Sequence, residues 1–369
     1  MRCYGLSTYQ IAGINISLKP LTKAYFDDTL KPYIHKGPSD YEIKSSLVDG
    51  IKPIEDRPIM HEKHRFFYEI KGQTVLQVLN QSNEIKYQIT TSDDYKTQEI
   101  AFVKGRNSDL ETIEYILFSM SFLEVMMREG FLPIHASCLV LNEEAILFSA
   151  PSKTGKTTHV KYYLDTFDHA INLNDDKPLI KDGYVYGTPF SGKTKTNVNA
   201  KFKLKALCFI KQGKINEIHR LDHDEAILHL LKNMLRPSKE SVWNQMIPIL
   251  NEVLKNPIYQ ASLTNEQKSI YQTYYGFYRE ANMRIKEGFK LKEIGSKIMV
   301  LPTDNEALNF NGIMTLNPSG KQLFEALLTE QTIDSLKQVL IDHYEVSEEE
   351  ALKDVVSFIE TLKKHHVLV

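Results

Sequence analysis

The chain has 369 residues, 42% hydrophobic and 25% charged, with a formal net charge of −2. That composition fits an ordinary globular protein of two or three units with a sizeable core, and its charge gives no general pull toward nucleic acid or an anionic membrane. No stretch approaches the roughly 18 consecutive apolar residues of a membrane helix. The N-terminus lacks a signal peptide's apolar core, and Cys3, Cys138 and Cys208 are too few and too scattered for a disulfide framework or a metal site, so reduced thiols in a cytoplasmic protein are expected.

Residues 1–105 read mostly as strands. Runs at 66–69, 75–79, 87–90 and 100–103 are β-prone and separated by turn or polar residues, and nothing in them announces chemistry. The period then changes. From Leu110 to Met127 apolar residues recur three or four apart (Ile113, Ile116, Leu117, Met120, Leu123, Met126, Met127), which predicts a long, largely buried helix with Asp109 as N-cap and Gly130 as its stop. Its methionines are expected to fill core. Two strands follow at 137–141 and 145–149, then a loop rich in glycine and lysine and a helix through 160–164. A short strand at 170–173 runs into Asn174, Asp175 and Asp176. Residues 179–186 form a hairpin about Asp182 and Gly183, 204–210 make a buried strand, and 222–235 and 239–254 are helical. Beyond a polar, aromatic stretch near 271–284 come strands at 289–294, 298–301 and 307–310. Helices are predicted at 318–329, 332–344 and 347–365, with Pro318 at a first helical position and Ser347 with Glu350 as a capping box. The resulting divisions are a β-rich domain over 1–105, a central domain over 106–282 and a terminal domain over 283–369.

The segment APSKTGKTT, residues 150–158, meets the pattern [AG]-x-x-x-x-G-K-[ST] between an apolar strand and a helix. A strand ending in a tight loop points backbone N–H groups at phosphate oxygens. Gly155 permits close backbone approach, Lys156 places a charge between the β- and γ-phosphates, and the Thr157 hydroxyl can ligate Mg²⁺. Ser152, Lys153, Thr154 and Thr158 complete the candidate nucleotide-binding set. Asp175 and Asp176 close the next predicted strand, where one carboxylate can hold Mg²⁺ while its neighbour accepts a proton from an attacking hydroxyl. His135 stands fifteen residues before Ala150, so an intervening β-hairpin could fold it back beside the phosphates. GTPFSGK, residues 187–193, reads either as a plain loop or as a flexible cover that supplies Lys193; Arg236 is a further candidate charge for the site, or an ordinary surface arginine.

With His135, APSKTGKTT, Asn174-Asp175-Asp176 and GTPFSGK in this order, residues 130–265 resemble the HPr kinase/phosphorylase superfamily, P-loop phosphotransferases related to the phosphoenolpyruvate carboxykinases. The resemblance implies an active-site role for His135, a general base at Asp175 and a metal ligand at Asp176. Lys153 stands where the family often has glycine, and Thr158 where true HPr kinases usually carry glutamate. With GTPFSGK the chain looks closer to the HPr-kinase-like proteins encoded beside peptide-modification genes than to true HPr kinases, whose hallmark segment for their carrier protein is not recognisable. Residues 288–369 resemble the PqqD-like domain, a winged-helix-like fold that recognises precursor-peptide leaders. The matching features are hairpin sequence, Leu308-Asn309 with Gly312, Leu316-Asn317, the three helix starts and the terminal HHVLV. Such a domain binds an extended peptide at a sheet edge, here near 307–310, with the helix at 347–364 beside it.

Together these imply an α/β P-loop HPr-kinase-like core with a β-rich N-terminal domain and a C-terminal α+β winged-helix-like PqqD-type domain. The expected function is an ATP- and Mg²⁺-dependent kinase acting on a Ser or Thr hydroxyl of a ribosomally made peptide. In it Asp175, His135 and Lys156 are catalytic, and Thr157 and Asp176 hold the metal. A kinase of a small metabolite or carrier protein, and a nucleotide-gated peptide scaffold without turnover, stay open. The partner is a precursor peptide or another hydroxyl acceptor; a homo-oligomer is plausible by analogy, and neither nucleic acid nor membrane is expected.

Overall fold

The computed structural model describes residues 8–237, 240–303 and 314–369. The chain is mixed α/β with large sheets and divides into two compact units, each gathered from separated segments. Met1–Cys138, Asn172–Leu204 and Leu230–Lys255 form the first; Leu139–Ile171, Lys205–His229 and Asn256–Val369 form the second.

The first unit begins with β1 (Thr8–Ile11), β2 (Ile14–Lys19), α1 (Lys23–Leu30), β3 (Ile34–His35), β4 (Tyr41–Val48) and β5 (Met60–Glu62). The β-prone runs that follow lie within β6 (Arg65–Ile70), β7 (Gln73–Leu79), β8 (Ile85–Thr91) and β9 (Thr97–Val103). All nine strands pair in the order β3-β1-β2-β4-β9-β8-β7-β6-β5. The β2–β4 and β4–β9 pairs are parallel, the remainder antiparallel.

Helix α2 (Leu110–Arg128) starts where Asp109 accepts a 3.2 Å hydrogen bond from the Thr112 N–H, and left-handed Gly130 (φ +75°) lies just past its end. Its buried face corrects the periodic stripe. Leu117, Leu123, Met126 and Met127 are buried, but Ile116 and Met120 are 48% and 39% exposed. Aromatic Tyr115, Phe118 and Phe122 pack inward instead, against Phe26 and Phe190. Glu114, also buried, accepts from the Leu21 and Thr22 N–H groups (2.7 and 2.9 Å) at the start of α1, so its charge is matched by donors and a helix N-terminus.

The chain continues through β10 (Leu132–Pro133), β11 (Ala136–Leu141), β12 (Glu144–Ser149), α3 (Lys156–Thr166), β13 (Ile171–Asn174), β14 (Leu179–Lys181) and β15 (Tyr184–Tyr186). Next come β16 (Lys201–Gln212), β17 (Glu217–Arg220), α4 (His223–Asn233), α5 (Glu240–Val253), β18 (Ile258–Leu263) and α6 (Ser269–Tyr278). Within the first unit β10 pairs with β14, and β14 with β15 through left-handed Asp182 and Gly183. β15 pairs with the first residues of β16.

In the second unit the rest of β16 runs parallel to β18, which pairs antiparallel with β17. Phe148 on β12, Tyr163 on α3, and Tyr274 and Phe277 on α6 fill its core. The chain ends with β19 (Phe289–Ile294), β20 (Lys297–Pro302), β21 (Met314–Leu316), α7 (Pro318–Ala326), α8 (Ile333–His343) and α9 (Glu348–Lys364). The three strands pair antiparallel in sequence order. The strand expected at 307–310 lies outside the described residues. Asn317, Thr332 and Ser347 cap the three helices, the latter two with reciprocal capping boxes.

One buried carboxylate fixes α9. Glu360 accepts from Asn142 Nδ2 (3.0 Å) and the Tyr274 hydroxyl, and pairs with His169 Nε2 (3.0 Å) and Lys363 Nζ (3.2 Å). Val355, Val356 and Ile359 of the same helix join the core that contains Phe148.

Candidate functional site

The phosphate-loop sequence lies in the second unit, at the carboxyl end of a strand buried over five of its six residues. β11 and β12 are joined through Asn142 and Glu143, both left-handed (φ +53° and +63°), the conformation a two-residue hairpin turn requires. After Ser149 the chain turns: the Thr154 N–H donates to the Pro151 carbonyl (3.3 Å), Lys153 is left-handed (φ +67°) and Gly155 has φ +112°. No heavy atom would crowd a Cβ at Gly155, so the dihedral itself demands glycine there. α3 begins at Lys156 with no side-chain cap and no acidic residue in its first turn. Its opening N–H groups and the positive end of its dipole are therefore suited to an anion. Lys156 is 7% exposed and its ammonium donates to the Ala150 carbonyl (2.8 Å), which holds the cation against its own loop. Ser152, Lys153, Thr154, Thr157 and Thr158 belong to the same loop and first helical turn.

Beneath that turn His159 is buried, with Nε2 3.0 Å from the Thr273 hydroxyl and Nδ1 3.3 Å from that of Ser269. Burial pulls its pKa down to about 3, so the ring is neutral and structural.

The aspartate pair and His135 lie in the first unit, where the fold brings them together. Buried Asn174 builds the turn. Its Oδ1 accepts from the N–H groups of Asp176 (3.0 Å) and Lys177 (2.7 Å), and its Nδ2 donates to the carbonyl (2.8 Å) and hydroxyl (3.1 Å) of Thr188. Asp175, 6% exposed, accepts from the Ser137 hydroxyl at one oxygen (2.7 Å) and the Thr194 hydroxyl at the other (3.0 Å). Asp176 meets His135 Nδ1 at 2.8 Å and Lys177 Nζ at 2.7 Å. Burial pushes the Asp176 pKa up, but the His135 hydrogen bond and the Lys177 charge outweigh it and bring it down to about 2. Asp176 is an anion at any physiological pH. The bond to anionic Asp176 places a proton on His135 Nδ1.

Through Ser191 the GTPFSGK segment is buried and hydrogen-bonded. Thr188, Phe190 and Ser191 are buried, and the Tyr115 hydroxyl donates to the Pro189 carbonyl (3.2 Å) and accepts from the Ser191 N–H (3.1 Å). Lys193 sits in the short helical turn Gly192–Thr194, with its side chain outside the described set. Gly192 matters for space: a Cβ there would stand 3.1 Å from that of Asp176. The Arg236 Nε donates to the Leu231 carbonyl (3.1 Å). Sequence reasoning passed over Asn174, Ser137, Thr188 and Thr194 as working residues. The turn-rich GTPFSGK signal covered Thr188 and stopped one residue short of Thr194, and nothing local marked Ser137.

Among the described residues no group of three or more His, Cys, Asp or Glu side chains is arranged to hold a metal, and no helix is long and apolar enough to cross a membrane. Cys138 and Cys208 are buried thiols whose pKa burial pushes up. No curated protein matches the chain. Residues 297–368, from β20 to the end of α9 and beyond, match the family model of coenzyme PQQ synthesis protein D (PqqD).

Proposed function

We propose that the chain is a P-loop phosphotransferase that moves the γ-phosphate of ATP to a Ser or Thr hydroxyl of a ribosomally made peptide, held through its PqqD-like segment. The observation that carries the phosphate half is the loop: glycine-only dihedrals at Gly155, an uncapped helix start and a buried lysine cation at one strand end. The peptide half rests on the PqqD match over residues 297–368.

In this reading the loop N–H groups from Ser152 to Thr158 and the Lys156 ammonium hold the phosphates, and Lys193 adds charge toward the γ-phosphate or acceptor. Asp175, already an acceptor of two hydroxyl hydrogen bonds, takes the proton of the acceptor hydroxyl. The acceptor oxygen bonds to the γ-phosphorus, the bond from that phosphorus to the β–γ bridging oxygen breaks, and ADP leaves. The His135 Nδ1–H donates to Asp176 and steadies that carboxylate. Thr157 and Asp176 are the oxygen donors assigned to Mg²⁺, which when bound neutralises phosphate charge. A Mg²⁺ ion at a nucleotide keeps several waters and takes few protein oxygens, so a hydroxyl and a carboxylate suit it in kind.

The test incubates the full chain with γ-labelled ATP, Mg²⁺ and a leader-bearing peptide encoded beside it. The peptide acquires label, and Asp175→Asn lowers the labelling rate by about 10²–10⁴-fold while ATP still binds. Label on a small metabolite instead would replace the peptide acceptor. Binding without any labelling would leave a nucleotide-gated scaffold.

A further inference from the structure

Beside the loop, within the same unit, is a cavity of about 210 Å³ lined by Lys153, Thr158, Tyr162, Gln212, Thr264 and Asn265 among others. It sits at the carboxyl ends of three strands: the loop follows β12, Gln212 ends β16, and Thr264 and Asn265 follow β18. Ligands of open α/β sheets gather at that end. The volume is below the roughly 300–1,000 Å³ of a site for a whole drug-sized ligand, so it suits one part of a molecule anchored elsewhere.

Which part follows from α3. Thr158 lines the cavity, whereas Thr157, the hydroxyl assigned to Mg²⁺, does not. Successive residues of a helix point about 100° apart, at 3.6 residues per turn. The cavity therefore opens to one side of the phosphates, away from the metal-side hydroxyl. One turn on, Tyr162 lines it too, and its hydroxyl donates to the Asn265 backbone carbonyl (3.2 Å) and Oδ1 (3.3 Å). That leaves the Asn265 side-chain NH₂ as a donor. Thr264 is anchored by its N–H to Asn216 Oδ1 (2.8 Å), and the His159 ring behind it is neutral. Two carboxamides and an aromatic ring suit a flat heteroaromatic ring bearing donors and acceptors, while Lys153 and Lys211, which line the same cavity, suit the phosphates that ring would carry.

We propose that this cavity receives the nucleoside end of the nucleotide, with the Asn265 and Gln212 amides reading the base and the Tyr162 ring packing beside it. The assignment rests on the phosphate-loop reading above. Isothermal titration of the full chain with ATP, GTP, CTP and inorganic tripolyphosphate separates the two. At least one nucleotide binds about tenfold or more tightly than tripolyphosphate. Asn265→Ala and Gln212→Ala, both at exposed positions, and Tyr162→Phe, which removes only a hydroxyl, each shrink that advantage or the discrimination among bases by roughly three- to tenfold, as the loss of one or two neutral hydrogen bonds does. The tripolyphosphate affinity stays the same in every variant. Equal binding of nucleotides and tripolyphosphate, or variants that leave selectivity untouched, overturns the nucleoside assignment alone. Failure of tripolyphosphate and nucleotides alike overturns the phosphate loop with it.

Discussion

The loop after β12 and the turn after β13 are both strand ends given over to charge, and they are built in opposite ways. The loop is a backbone object. Its shape comes from dihedrals at Lys153 and Gly155 and from a helix start, and its buried lysine bonds a carbonyl six residues away. The aspartate turn is a side-chain object. Asn174, Ser137, Thr188, Thr194, His135 and Lys177 hold it, drawn from residues 135–194. A backbone object tolerates exchange of most neighbours and fails at one glycine. A side-chain object fails wherever a partner is removed, because each buried polar group left unpaired costs about 1–3 kcal/mol.

The strongest way to break the comparison is Asn174→Ala, which strips partners from the N–H groups of Asp176 and Lys177 and from Thr188 at once. It should lower unfolding free energy by about 3 kcal/mol in urea titrations. A loss under about 1 kcal/mol would mean that the turn is held by its backbone after all. Next is Gly155→Val, which forces a β-branched residue to φ +112°. That strain, about 2 kcal/mol, should weaken tripolyphosphate binding by roughly 30-fold with a smaller change in overall stability. If the valine variant binds as the parent does, the loop does not need its glycine.

Acid sharpens the contrast further. Asp176 has a folded pKa of about 2 against an ordinary 3.8, so the unfolded chain binds more protons between those values. Its stabilisation is complete above about pH 4 and fades as the pH falls toward 2, amounting to about 2 kcal/mol. Urea midpoints from pH 5 to 2 measure it, and Asp176→Asn should remove that share of the slope. The loop, which has no carboxylate, contributes nothing comparable.

The same contrast explains what could be read in advance. The strands at 66–103, the capped helix at Leu110, the hairpin at Asp182-Gly183 and the helix starts at Pro318, Thr332 and Ser347 all rest on neighbours within a few residues, and they lie where local pattern put them. The α2 stripe was legible as a helix and less so as a face. Period marks amphipathicity but not which partners arrive, and here the partners were Phe26 and Phe190, which turned Tyr115, Phe118 and Phe122 inward. GTPFSGK reads from its turn formers as a loop or a flexible cover, yet Tyr115, distant in sequence, hydrogen-bonds it.

By itself, then, the sequence determined the strand–loop–helix at 145–166, because glycine dihedrals, an apolar strand and a helix start are properties of consecutive residues. It determined the hairpin of β19 and β20 and the three capped helices for the same reason, and with them most of the stretch that matches PqqD, while the strand at Met314–Leu316 was not foreseen. Only the tertiary structure decided that Asp175 is held by Ser137 and Thr194, that His135 and Lys177 keep Asp176 anionic, and that Glu360 ties α9 to Asn142, His169 and Tyr274. Those depend on which distant segments share a unit, and the hydrogen-bonding needs of a buried polar group name the kind of partner without naming its place in the chain.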